Sequence, residues 1–104
     1  MMLLGPPPPT PPARVQVVAK EYSLSLSRIV LRHGTAIVQL ANFGEDPHDL
    51  RLQRMGGTRI YGVPTTQSGE QTDLRARLLA GRYTLWCSLA DHRARGMVAH
   101  LTVR

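Results

Sequence analysis

From Ala13 to the C-terminus, polar and apolar residues alternate one by one in short runs: Arg14-Val15-Gln16-Val17, Leu24-Ser25-Leu26-Ser27, Leu50-Arg51-Leu52 and Leu74-Arg75-Ala76-Arg77-Leu78. A strand buried on one side demands this period of two, because successive side chains point to opposite faces of a sheet. No window of a dozen residues carries a helical stripe instead. Thr35–Leu40, Tyr83–Cys87 and Val98–Val103 read as further strands, and His33-Gly34, Gly56-Gly57 and Ala80-Gly81 punctuate the runs. Short strands broken by turns at this spacing specify an all-β fold, an antiparallel sandwich or barrel. There is no internal repeat.

The chain changes character near residue 12. Six of its eight prolines fall in the first twelve residues, where they block both helix and sheet pairing and favour extended polyproline conformation. Residues 1–12 are therefore expected to form a semi-rigid tether with no packing of its own, and residues 13–104 one domain. Met1-Met2-Leu3-Leu4 is too short for a signal-peptide core and lacks a basic flank. A trimmed export or anchor segment and a misplaced start both account for it. No apolar run approaches the roughly 18–20 residues of a membrane span, so no transmembrane segment is expected.

Thirteen basic residues, twelve of them arginine, stand against seven acidic ones, for a formal net charge of +6. Such a balance suits nucleic acid, an anionic membrane surface or an acidic protein partner. The arginines are scattered from Arg14 to Arg104, with no basic run and few aromatics to stack bases, so nucleic-acid binding is not expected. Cys87 is the only cysteine, which excludes a disulfide scaffold.

Chemistry concentrates in the last connection. Cys87, His92 and Met97 follow one another at intervals of five residues between the last two strands, and His48 opens an earlier strand after Asn42-Phe43-Gly44-Glu45-Asp46-Pro47. Two imidazoles, a thiolate and a thioether make a soft, mixed donor set, and a trigonal His2Cys arrangement with a weak axial Met is the type 1 copper site. One short loop can wrap three sides of an ion while His48 reaches it from a neighbouring strand. Each residue alone has an ordinary alternative: Cys87 and Met97 as core, His48 as a turn residue. A cysteine nucleophile needs an oriented base and an oxyanion donor that no other residues supply. Zinc rarely chooses a thioether. His33 and His100 are read as solvent-facing.

The segments Asn42–His48, Gly81–Ser88 and Cys87–Met97 resemble the cupredoxins, the blue copper proteins, and the resemblance runs over residues 14–104. It implies a Greek-key antiparallel β-sandwich holding one copper ion that cycles between Cu(I) and Cu(II), with His48, Cys87 and His92 as equatorial ligands and Met97 as the axial one. It also implies an electron carrier rather than an enzyme, monomeric and extracytoplasmic, with copper storage or delivery through the same ligands as the rival reading. Where relatives often carry asparagine after the first histidine ligand, this chain has Asp49, which can accept a hydrogen bond from Ser88 but cannot donate one. A redox partner is expected to dock at the edge of His92. Arg93 and Arg95 flank that edge and suit an acidic surface, and Trp86, beside Cys87 on the opposite strand face, is a further candidate contact.

Overall fold

The computed structural model describes residues 3–104; Met1 and Met2, the first residues of the expected tether, lie outside the described residues. Nine strands follow in order: β1 (Ala13–Lys20), β2 (Ser23–Leu26), β3 (Val30–Leu31), β4 (Gly34–Asn42), β5 (His48–Arg54), β6 (Ile60–Thr66), β7 (Gln71–Leu78), β8 (Gly81–Trp86) and β9 (Val98–Val103). They form two sheets, β2-β1-β4-β7 and β3-β9-β8-β5-β6. Residues 3–10 are exposed and carry no strand, and the Arg32 guanidinium donates to the Pro11 carbonyl at 2.5 Å. No helix among the described residues is long and apolar enough to cross a membrane.

The alternation read from the sequence becomes the core. β1 turns Ala13, Val15, Val17 and Ala19 inward, β5 contributes Leu50 and Leu52, and β8 and β9 contribute Tyr83, Leu85, Leu101 and Val103. Facing side chains of the two sheets interdigitate in one apolar layer, as a sandwich requires.

The sheets are mixed. β1 runs parallel to β4, from Ala13↔Ala36 to Ala19↔Asn42, and β3 runs parallel to β9, while the other pairings are antiparallel. A side-chain period of two is common to both kinds of pairing, so alternation carries no information about direction. Direction matters here because parallel strands finish at the same end. The two-residue turn Glu21-Tyr22 after β1 therefore comes to lie beside the 43–47 loop after β4, and Phe43 N–H donates to the Ala19 carbonyl at 3.0 Å.

Two strands lack a sequence signature. β3 has only two residues. β6 contains Gly62 and Pro64, which argue against a central strand, and the sheet order places it at an edge, where they are tolerated. The Arg51 guanidinium lies across Gly62, where a Cβ would meet only the flexible end of that side chain. The register slips between His48↔Thr66 and Leu50↔Val63, two steps on β5 against three on β6. The extra residue lies on β6, and opposite this bulge His48, Asp49 and Leu50 of β5 are buried in succession instead of alternating.

Candidate metal centre

Cys87 directly follows β8, and its N–H donates to the Met97 carbonyl at 3.2 Å, carrying the β8–β9 ladder one step further. The chain between them is tied to itself: His92 N–H to Leu89 O, Arg95 N–H to Asp91 O, Gly96 N–H to Arg93 O and Met97 N–H to His92 O, all at 3.0–3.1 Å. Gly96 has φ 124°, and a Cβ there would stand 3.0 Å from the Tyr22 carbonyl oxygen, so both conformation and close approach call for glycine.

These constraints bring two distant parts of the chain to one point. Cys87 Sγ lies 3.9 Å from His48 Nδ1 and 3.6 Å from His92 Nδ1. The three donor atoms are all within 4.8 Å of one another, the one such group among the described residues. His48, Cys87 and Met97 are fully buried, Met97 within the core; His92, 8% exposed, is the member that reaches the surface.

Burial pushes the Cys87 thiol up; the backbone N–H groups of Leu89 and Asp49 oppose this, and the Asp49 carboxylate adds to it. A protonated thiol can donate to only one of the two imidazole nitrogens that face it. A soft cation accepts from all three, releasing the thiol proton as it binds. The donor set therefore fits a copper ion, and a buried thiol held in its neutral form is poorly suited to act as a nucleophile.

Around the donors lies a shell of carboxylates. Asp49 Oδ1 accepts the Ser88 N–H at 2.7 Å and Oδ2 accepts the Ser88 hydroxyl, while Arg51 Nη2 stands 3.5 Å from Oδ2. Asp49 and Ser88 thus clamp the His48 strand to the Cys87 loop. Glu21 Oε1 accepts from Asp46 N–H at 2.7 Å and Glu45 N–H at 2.9 Å, and lies 3.0 Å from His48 Nε2. The Asp46 N–H, against some desolvation and helped by Glu45 and His48, lowers the Glu21 carboxyl to about 2. Asn42 holds the same loop from within, donating to the Asp46 and Thr66 carbonyls at 2.8 and 2.9 Å and accepting the Gly44 N–H at 2.9 Å.

The remaining sequence candidates lie around this group. The Arg93 guanidinium stacks 4.6 Å over the Trp86 ring. Arg95 stacks 4.9 Å over Tyr22 and pairs with Asp91 at 2.7 Å, which compensates its charge. Asp46 Oδ2 is 3.9 Å from His92 Nε2, so the surface beside that imidazole carries both signs. His33 and His100 are exposed and outside the cluster. Asn42 and Asp46 lie in the segment before His48 that the sequence singles out, though without a role read for either; Glu21 and Tyr22 carry no sequence signal, because only the parallel β1–β4 pairing brings them here and periodicity does not show it.

No protein-family model and no curated protein matches the chain. Solved structures do. Reduced auracyanin from Roseiflexus castenholzii aligns with a TM-score of 0.70 at 16% identity, over 88% of this chain and 96% of that one. Auracyanin A from Chloroflexus aurantiacus, described as a "blue" copper protein, aligns at 0.71 and 14%, over 90% and 100%. A purple cupredoxin from Nitrosopumilus maritimus aligns at 0.62 and 18%, over 86% and 98%. Likeness at such low identity is likeness of architecture, and in architecture this chain is a cupredoxin-like β-sandwich.

Proposed function

We propose that the domain of residues 13–104 is a monomeric, extracytoplasmic electron carrier holding one copper ion through His48, Cys87, His92 and Met97, with residues 1–12 as its tether. The observation that carries this reading is the convergence of two imidazole Nδ1 atoms and one thiol sulfur in a buried site that only the edge of His92 opens to the surface. A bound copper supplies a one-electron change between Cu(II) and Cu(I). The description of auracyanin A as a "blue" copper protein supports the choice of metal.

The residues of the chain do the rest. The self-bonded 88–97 loop, the Asp49–Ser88 clamp and the Asn42 network hold the donors from three directions. Such rigidity suits a carrier whose ligands stay in place in both oxidation states, whereas delivery requires an exchangeable site. His92 brings one ligand to the surface, and a redox partner meets the protein there. Arg93, without an ion pair among the described residues, gives that surface a positive charge for an acidic partner.

Adding Cu(II) to the purified protein is expected to give an intense visible thiolate-to-copper band that Cys87→Ser abolishes. A colourless protein that binds Cu(I) and hands it rapidly to a chelator would overturn the carrier reading in favour of delivery. Transfer to an acidic partner should slow as salt is added.

A further inference from the structure

His48 is fully buried, and an imidazole so placed can ligate through Nδ1 only if its proton sits on Nε2. Among the four donors only the Cys87 thiol bears on that, and it has His92 Nδ1 at 3.6 Å as a nearer acceptor than His48 Nδ1 at 3.9 Å. The Nε2 edge faces Glu21 Oε1 at 3.0 Å. A carboxylate oxygen there repels a lone pair and accepts a proton, so it favours the one tautomer that leaves Nδ1 free to face Cys87.

We propose that Glu21 is the positioning residue of this centre: its carboxylate, seated in the Glu45 and Asp46 N–H groups, holds the His48 ring and tautomer so that Nδ1 is presented to the metal. The inference deepens the metal reading and rests on it for the identity of the ion, but not for the state of His48.

The seat is built for this carboxylate. Glu21 belongs to the β1–β2 turn and its side chain is 24% exposed, yet Oε1 alone meets three polar hydrogens or nitrogens, from Glu45, Asp46 and His48. Gly44 makes the room: a Cβ at that position would stand 2.5 Å from both carboxylate oxygens and 2.7 Å from the carboxyl carbon. Gly44 is in turn located by its N–H to Asn42 Oδ1 and by Ser68 Oγ on its carbonyl at 2.5 Å. The 43–47 loop, the end of β4 and the β6–β7 turn thus converge to hold one side chain against one imidazole nitrogen. Partners of this kind fix ring orientation in metal sites, and their removal typically costs roughly 10–100-fold in metal affinity.

The test compares Glu21→Leu, Glu21→Gln and Gly44→Ala with the unmodified chain. The first readout is the imidazole 15N shifts of His48 in the metal-free protein, which report which nitrogen carries the proton. The second is Cu(I) affinity by competition with a chelator. The unmodified chain is expected to show proton on Nε2. Glu21→Leu should redistribute the proton towards Nδ1 and weaken Cu(I) binding by roughly 10–100-fold. Glu21→Gln keeps an accepting oxygen and should retain the tautomer and most of the affinity. Gly44→Ala, which displaces the carboxylate without altering it, should behave like Glu21→Leu and decides the matter if that variant does not fold. An Nε2 proton retained in Glu21→Leu or, failing that, in Gly44→Ala, with Cu(I) affinity within twofold, would overturn the proposal. Failure of Cu(II) to give a visible band would sink the carrier reading, while the metal-free shifts would still decide the role of Glu21.

Discussion

The two ends of the sandwich are built on opposite principles. At the end where β8 finishes and β5 begins, Asn42, His48, Asp49, Thr66 and His92 are all buried, and apart from the Cys87 thiol beside them and the Tyr83 phenol no other polar side chain is buried among those described. At the far end, where β8 begins and β5 finishes, Leu78, Tyr83, Leu101 and Val103 fill the interior, and the polar groups, Arg54, Arg59 and Arg77, stay around an open surface cleft. A buried polar group costs stability unless it is fully hydrogen-bonded, and no buried side-chain nitrogen or oxygen among the described residues lacks a partner. One end therefore fixes the positions of particular side chains, while the other contributes apolar burial with little demand on geometry. That contrast is itself a reason to look for chemistry at the first end only.

The sharpest way to break the contrast is to damage the apolar end. Leu101 is fully buried and pairs with Tyr83 across β8–β9. Leu101→Ala should cost about 2–5 kcal/mol, lost transfer energy plus a cavity, read as a lower denaturant midpoint. The visible band of the copper-loaded protein should keep its wavelength. A shifted band would mean that packing at the far end sets the donor geometry and that the two ends are not separable.

Asn42→Ala probes the polar end with a smaller effect on stability. It strands the Asp46 and Thr66 carbonyls and the Gly44 N–H, for a net loss of about 1–3 kcal/mol. Unlike Leu101→Ala it loosens the 43–47 loop that seats Glu21 and leads into His48, so metal affinity should fall as well. Titrating copper into both variants at equal stability, adjusted with denaturant, separates the two effects. Equal affinities would show that the loop network is merely structural.

This difference between the ends also explains what the sequence disclosed. The apolar end and the body of the sheets follow from alternation, since β1, β2, β4, β5, β7, β8 and β9 each lie over a run read from residues alone. The loop bearing Cys87, His92 and Met97 was equally visible, because its donors are close in sequence and chemically distinctive. β6 was not, since Gly62 and Pro64 look like breakers until the sheet edge accounts for them. Nor was Glu21: it sits 27 residues from His48, and only the direction of β1 against β4 brings them together. Periodicity encodes which face a residue takes, whereas long-range partners of a buried polar group depend on strand order and direction.

The smallest effect is expected at Tyr83, and it reverses the usual view of the far end as chemically silent. Its phenol is buried there and donates to the Leu79 carbonyl at 2.8 Å. Burial raises its pKa above the ordinary value near 10, with Tyr61 adding to the shift and Arg54 opposing it. The folded state therefore holds this proton more tightly than the unfolded state does. Its contribution is fully present below about pH 10 and is lost as the pH climbs towards the raised value, because only the unfolded chain gains by ionising. Cys87 acts in the same sense from lower pH at the other end of the metal-free protein, since its thiol is also raised by burial. Tyr83→Phe in a Cys87→Ser background isolates the phenol. It should cost about 0.5–1.5 kcal/mol for the lost hydrogen bond at neutral pH, and its stability should decline less steeply above pH 10 than that of Cys87→Ser alone. Parallel curves above pH 10 would show that Tyr83 ionises as readily in the fold as outside it, and the far end would then lack the dry interior that distinguishes it from its opposite.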